Sequence, residues 1–303
     1  MLTGFAIIGF VIAIGYLVGR LHLLGGDARY VLSRLVFFVL SPCLLFTVLA
    51  EANVHVLFSQ LLVVSAITAV IACLLFALVA RLVWKRTITD VVIGSAASGY
   101  VNANNIGIPV AVYVLHNAAI SAPVILLQLL VLAPIILTIL DVSTSGSASV
   151  RRILLQPVRN PLIIASALGV LVSVSGITLP APVLAPFQLI GAAAVPVVLI
   201  SFGMSLSGQR ILQPGSKRVD VLLASAIKLV VMPVVAWLFG ALVFHLQGAH
   251  LFGVVMLAAL PTAQNVLNYA QRYERAEVIA RDTVLITTVG SIPVLVIAAL
   301  LLG

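Results

Sequence analysis

Hydrophobic residues in this chain come in long runs separated by short polar stretches, rather than alternating with polar ones at a strand or helix period. A helix needs roughly 20 mostly apolar residues to cross the hydrocarbon core of a bilayer. Runs of that order occupy 2–18, 35–50, 57–83, 91–115, 118–140, 161–179, 183–206, 219–244, 251–269 and 283–302. The pattern predicts an all-α integral membrane protein of ten transmembrane helices. Connections between the runs are short, and the longest polar one is a Ser/Gly-rich stretch at 141–160.

Five runs precede that stretch and five follow it. The predicted organisation is therefore a first five-helix repeat at 1–140, a linker at 141–160 and a second repeat at 161–303. An odd number of helices per half makes the second half begin on the opposite side, which is the arithmetic of an inverted repeat. Ala13-Ile14-Gly15 aligns with Ala167-Leu168-Gly169, and Pro42 with Pro196, at one offset. At a slightly larger offset Ser65-Ala66-Ile67 aligns with Ser225-Ala226-Ile227, Ala103 with Ala263, and Asn105 with Asn265.

The aligned halves join two unusual segments. The fourth run is interrupted by Gly99-Tyr100-Val101-Asn102-Ala103-Asn104-Asn105-Ile106-Gly107-Ile108-Pro109, and the ninth contains Leu260-Pro261-Thr262-Ala263-Gln264-Asn265-Val266-Leu267-Asn268. Proline removes a backbone donor and blocks the preceding turn. Freed backbone groups at membrane depth cost several kcal/mol each unless they are satisfied or line a cavity. Paired interruptions at corresponding places of two halves point to a transporter's binding site. Half-helix N-termini suit an anion, and Asn and Gln amides add donors and acceptors without fixed charge. Asn104, Asn105, Gly107, Pro109, Pro261, Thr262, Gln264 and Asn265 are the candidate substrate-binding residues. The structural alternative is that these amides only hold helices together; it fits Asn102 and Asn268 best. Pro42 and Pro196, a second matched pair, are expected to kink helices two and seven and are also candidates, with a packing kink as the plain reading.

Composition agrees with the runs. Hydrophobic residues make up 63% of the 303 and charged residues only 8%, against roughly a quarter charged in soluble domains. So few charges cannot cover a water-facing surface. The net charge of +8 does not form a patch of the kind that binds nucleic acid. Its distribution instead gives orientation. Fifteen of the 16 basic residues fall in alternate connections: Arg20, Arg29 and Arg34; Arg81, Lys85 and Arg86; Arg151, Arg152 and Arg159; Arg210, Lys217 and Arg218; Arg272, Arg275 and Arg281. The other connections hold Glu51, His55, His116, His245 and His250. The positive-inside rule makes the basic side cytoplasmic. Both termini are then outside, in a multi-pass protein of the inner membrane. Cys43 and Cys73 lie within apolar runs and read as small buried side chains.

The sixteenth basic residue, Lys228, lies about nine residues into the eighth run. A cation at membrane depth is functional by default, with snorkelling as the alternative. No Asp or Glu is evident near the bilayer centre, so a substrate carboxylate is its expected partner. No metal-ligand motif, phosphate loop or paired membrane-depth carboxylate appears, so the reading is of a non-enzyme without a cofactor.

At the interruptions the sequence resembles the auxin efflux carrier family, which includes plant auxin exporters and bacterial relatives named as candidate malonate carriers. The resemblance rests on Asn105-Ile106-Gly107-Ile108-Pro109 and Leu260-Pro261-Thr262-Ala263-Gln264-Asn265. It extends through Tyr269-Ala270-Gln271-Arg272-Tyr273 and Leu285-Ile286-Thr287-Thr288. It implies two inverted five-helix repeats, with helices four and nine crossing at their broken centres, as in sodium–bile acid symporters and sodium/proton antiporters. Helices one, two, six and seven would form a scaffold; three to five and eight to ten would carry the substrate. Asn105 with Pro109, and Pro261 with Asn265, would form the crossover. The short linker points to a bacterial-type member. The implied function is alternating-access transport, in the efflux direction, of a small organic anion such as a carboxylate. Sodium coupling and a homodimeric assembly are left open. The competing reading is a sensor or passive pore on the same fold.

Overall fold

A computed structural model describes residues 2–52, 60–145, 160–207 and 217–303. Most of the predicted linker, with Arg151, Arg152 and Arg159, lies outside them, as do His55, Arg210 and the start of the third run. Every regular element among the described residues is helical. In chain order they are α1 (Leu2–Arg20), α2 (Ala28–Glu51), α3 (Gln60–Val83), α4 (Ile88–Gly99), α5 (Ile108–Tyr113) and α6 (Ala118–Thr144). Then come α7 (Pro161–Ser175), α8 (Ala181–Leu206), α9 (Arg218–Val243), α10 (Gly248–Ala258), α11 (Gln264–Tyr273) and α12 (Glu277–Leu302). Seven of them, α1, α2, α3, α6, α8, α9 and α12, are long and apolar enough to cross a membrane. Shorter apolar helices are α4, α7 and α10.

Several helices outrun the apolar stretches that predicted them. The second run begins at 35, yet α2 begins at Ala28, so Arg29 and Arg34 are helical rather than loop residues. The tenth run begins at 283, yet α12 begins at Glu277 and takes in Arg281 and Asp282. The sixth run extends to 179, whereas α7 stops at Ser175 with Gly176 in the left-handed region. Hydropathy marks the part of a helix that suits hydrocarbon, but helical hydrogen bonding continues into polar turns beyond it and stops where a Gly cap intervenes.

The chain divides into two compact units. The first comprises Met1–Ser59, Asn104–Leu126 and Leu154–Gln209. In it α1 packs along residues 194–206 of α8, and α7 along residues 41–51 of α2. Both contacts depend on glycine. A methyl group on Gly15 would collide with the Ile200 carbonyl, and one on Gly169 with the Phe46 carbonyl. Small residues let membrane helices approach backbone to backbone, because lipid supplies no hydrophobic drive between them. The two contacts are counterparts: Gly169 and Ile200 each stand 154 residues after Gly15 and Phe46. Pro42 is buried in α2, just after a π turn at Val36–Leu40 that absorbs its missing donor. Pro196 is exposed, three residues after the turn at Ala193 that interrupts α8. Val36 and Leu40 of α2 pack with Ala194 and Val198 of α8 in one apolar cluster.

The second unit comprises Gln60–Ala103, Leu127–Ile153 and Arg210–Gly303. Here α3 packs on α4, α9 on α12, and α10 on both α12 and the end of α9. Helices α3 and α9 end alike, in π turns at Val79–Val83 and Phe239–Val243, followed by left-handed residues Lys85 (φ 50°) and His245 (φ 51°). Each feature recurs 160 residues on. Three of the basic residues that gave orientation are ion-paired in this unit, Arg281 with its neighbour Asp282. Arg86 makes a two-pronged contact with buried Asp220 (3.0 and 2.7 Å), and Lys217 pairs with Asp90. A planar guanidinium suits that fork geometry, and it ties the α3–α4 connection to the start of α9.

Candidate functional site

Both interruptions are resolved in atomic detail. Helix α4 stops at Gly99, residues 100–102 run extended, and the chain resumes through a π turn at Ala103–Gly107 into α5. Helix α10 stops at Ala258, and the chain resumes in α11 at Gln264. Pro109 stands at the second position of α5, directly after that π turn, which absorbs its missing donor as the turn before Pro42 does.

The extended stretches meet. Val101 and Thr262 form an antiparallel bridge. The Asn102 N–H donates to the Pro261 carbonyl at 2.8 Å, and the Ala263 N–H to the Tyr100 carbonyl at 2.9 Å. Each break thereby satisfies backbone groups that the other has freed, which is what survival at membrane depth demands. The facing pairs, Val101-Asn102 and Pro261-Thr262, stand 160 residues apart in sequence.

Side chains from three further helices finish the satisfaction. Gln128 of α6, buried, donates to the Val101 carbonyl at 2.8 Å. The Thr262 hydroxyl donates to the Ala97 carbonyl at 2.6 Å, taking one of the carbonyls that α4 leaves open at its end. The Thr262 N–H donates to the Thr287 hydroxyl of α12 at 3.1 Å, and that hydroxyl donates onward to the Thr283 carbonyl at 2.7 Å. The open carbonyl of α10 is met differently. Lys228, wholly buried in α9, donates to the Ala258 carbonyl at 2.8 Å and lies 2.9 Å from the Met232 sulfur. It points inward rather than snorkelling.

The candidate residues therefore divide by place. Pro261 and Thr262 are at the bridge, and both are buried. Gln264 and Asn265 open α11 and are half-buried. The Tyr100 hydroxyl lies in range of the Asn265 amide and the Tyr269 hydroxyl without closing a well-formed hydrogen bond to either. The Tyr100 and Tyr269 rings stand edge to face, 6.4 Å between centroids. Asn104, Asn105, Gly107 and Pro109 belong to the first unit, where the Asn104 side-chain amide donates to Oδ1 of Asn105 at 2.9 Å. Pro42 and Pro196 also belong to the first unit, the one buried in α2 and the other exposed on α8. Asn102 is buried and engaged through its backbone, and Asn268 is exposed. Gln128 and Thr287 were not among the sequence candidates. An amide alone in an apolar run was the available signal for Gln128; Thr287 stood in the motif Leu285-Ile286-Thr287-Thr288 without a partner to give it a role.

Comparison with known proteins bears on the whole chain. The family model described as "Membrane transport protein" matches residues 1–299. The chain belongs to this family, the auxin efflux carriers. It is thus a multi-pass membrane transport protein with a small-molecule substrate, and not an enzyme. Among auxin efflux carrier relatives, a Rhizobium meliloti (strain 1021) protein named "Putative malonate transporter" is 26% identical over 293 residues. That alignment covers 93% of this chain and 89% of the relative. The "Uncharacterized transporter YfdV" of Escherichia coli (strain K12) is 23% identical over 272 residues, covering 87% and 85%. The Shigella flexneri protein of the same name aligns to the same extent.

Proposed function

We propose that this auxin efflux carrier is a secondary-type exporter of a small organic anion, a carboxylate, working by alternating access around a crossover of two broken helices. The observation that carries the reading is the antiparallel bridge between Val101 and Thr262. It joins the two breaks, and the half-helix that follows each one has an N–H end that favours negative charge. The malonate in the name of the Rhizobium relative makes a short dicarboxylate the first substrate to try.

Ten transmembrane helices follow if the broken pairs α4–α5 and α10–α11 each cross once and α7 crosses with the seven long helices. The counterpart contacts at Gly15 and Gly169, and the recurring π turns, support two inverted repeats. We assign α1, α2, α7 and α8, the predicted helices one, two, six and seven, the scaffold role, and the predicted helices three to five and eight to ten the transport role. The loop charges support an inner-membrane protein with both termini outside. Asn105 and Asn265, equivalent in the repeats, are proposed to bind substrate, together with Asn104, Gly107, Pro109, Pro261, Thr262 and Gln264.

The test is uptake of labelled malonate into liposomes preloaded with unlabelled malonate. A carrier gives saturable uptake accelerated by the internal load. Alanine at Asn105 or Asn265 should cut the rate at least tenfold without lowering thermal stability, and the double variant should lose less than the product of the two, since residues sharing a ligand couple. Non-saturable flux without counterflow would indicate a pore. No flux of malonate or of any other carboxylate would indicate a sensor. Equal loss of rate and stability would make the two amides structural.

A further inference from the structure

The two half-helices that end at the bridge are closed by groups of different charge. The Ala97 carbonyl at the end of α4 receives a neutral hydroxyl, from Thr262. The Ala258 carbonyl at the end of α10 receives the ammonium of Lys228. That side chain is wholly buried. The carboxylates of the unit's ion pairs, Asp220, Asp90 and Asp282, are held by Arg86, Lys217 and Arg281. Lys228 has no carboxylate partner among the described residues; its two acceptors are a carbonyl and a thioether. A helix C-terminus carries the equivalent of about half a negative charge. A protonated lysine placed on it would reverse the sign of the local field.

We infer that Lys228 keeps its proton against the negative dipole end of α10, and that it is thereby a specificity-determining residue that selects anionic over neutral substrates through its field, without touching them. This rests on the carboxylate reading above and goes further: it separates the group that sets the sign of the charge from the groups that bind the ligand. The sequence makes Lys228 the partner of a substrate carboxylate; the geometry instead occupies its ammonium with the Ala258 carbonyl. Charge still acts over distance in a water-poor interior. At an effective dielectric of ~20, a unit charge about 10 Å away changes an anion's affinity on the order of tenfold, and leaves a neutral isostere almost unaffected. A residue that merely closed α10 would alter both ligands alike, because it would distort the site that both occupy.

The experiment compares acid and amide of one shape. Competition binding to the purified full-length carrier is measured for malonate and malonamide, and for succinate and succinamide, in wild type, Lys228→Arg and Lys228→Gln. Gln keeps a donor for the Ala258 carbonyl and removes the charge; Arg keeps the charge. The acid-to-amide affinity ratio should fall about tenfold or more in Lys228→Gln and stay near wild type in Lys228→Arg, with amide affinity changing less than threefold. An unchanged ratio in Lys228→Gln, or equal weakening of acid and amide, overturns the inference and makes Lys228 a helix-closing residue. Should Lys228→Gln fail to fold, the Arg variant decides alone: a ratio that collapses with the charge retained overturns it, and a retained ratio supports it. A wild-type protein that binds neither acid overturns the carboxylate reading as well, which separates the two failures.

Discussion

Thr262 does three things with one residue: its backbone forms the bridge with Val101, its N–H meets Thr287, and its hydroxyl closes α4 at Ala97. Valine has nearly the same shape but no hydroxyl, so Thr262→Val would leave a buried carbonyl unpaired. Such a loss costs about 1–3 kcal/mol. Thr262→Val should therefore unfold at a lower temperature in detergent than wild type, and Thr262→Ser should match wild type. A valine variant as stable as wild type would mean that another donor reaches Ala97. Lys228 belongs to the same scale. Its distance from any acidic side chain could be suspected from sequence, but its hydrogen bond to a carbonyl 30 residues away could not. Nothing local to a lysine in an apolar helix announces which backbone group will accept its hydrogen bond.

Among elements, the closest approaches fall at glycines that face other helices. Gly15 of α1 lies against the Ile200 carbonyl and Gly169 of α7 against the Phe46 carbonyl, whereas Gly9 of α1 faces open space. A branched side chain at either contact has backbone in its way, and backbone cannot step aside as a side-chain tip can. Overpacking of that kind costs typically 1–3 kcal/mol and sometimes more. Gly15→Val and Gly169→Val should lower thermal stability and the yield of monodisperse protein; Gly9→Val, which pays the same small helix-propensity cost, should do neither. Equal behaviour of all three by size-exclusion chromatography and thermal unfolding would remove the close helix approach as a source of stability. Element boundaries show the limit of hydropathy at this scale. Helix α2 begins seven residues before its apolar run, and α12 six residues before its own. Arg29, Arg34 and Arg281 thus project from helix turns, not from loops.

For the molecule as a whole, the basic residues predict orientation. Reporters active only in the cytoplasm should work when fused after Arg86 or Arg275 and be silent after His116 or Gly303. Activity after Gly303 would mean that one of the short helices, α4–α5, α7 or α10–α11, does not complete a crossing. The amino-acid sequence by itself determined that the protein lies in a bilayer. Eight percent charged residues cannot solvate a surface, and the apolar runs have bilayer length. It also determined where the helices break, because proline and clustered amides are poor helix material wherever the chain goes, and it determined the family. What only the tertiary structure decided is which polar group satisfies which. Val101 faces Thr262, Gln128 reaches the Val101 carbonyl, Thr262 reaches Ala97, and Lys228 reaches Ala258. Cost of exposure to lipid is a property of each residue and can be summed along the chain. Relief of that cost by a partner depends on which distant residue folds into hydrogen-bond range, and no run of neighbours encodes that.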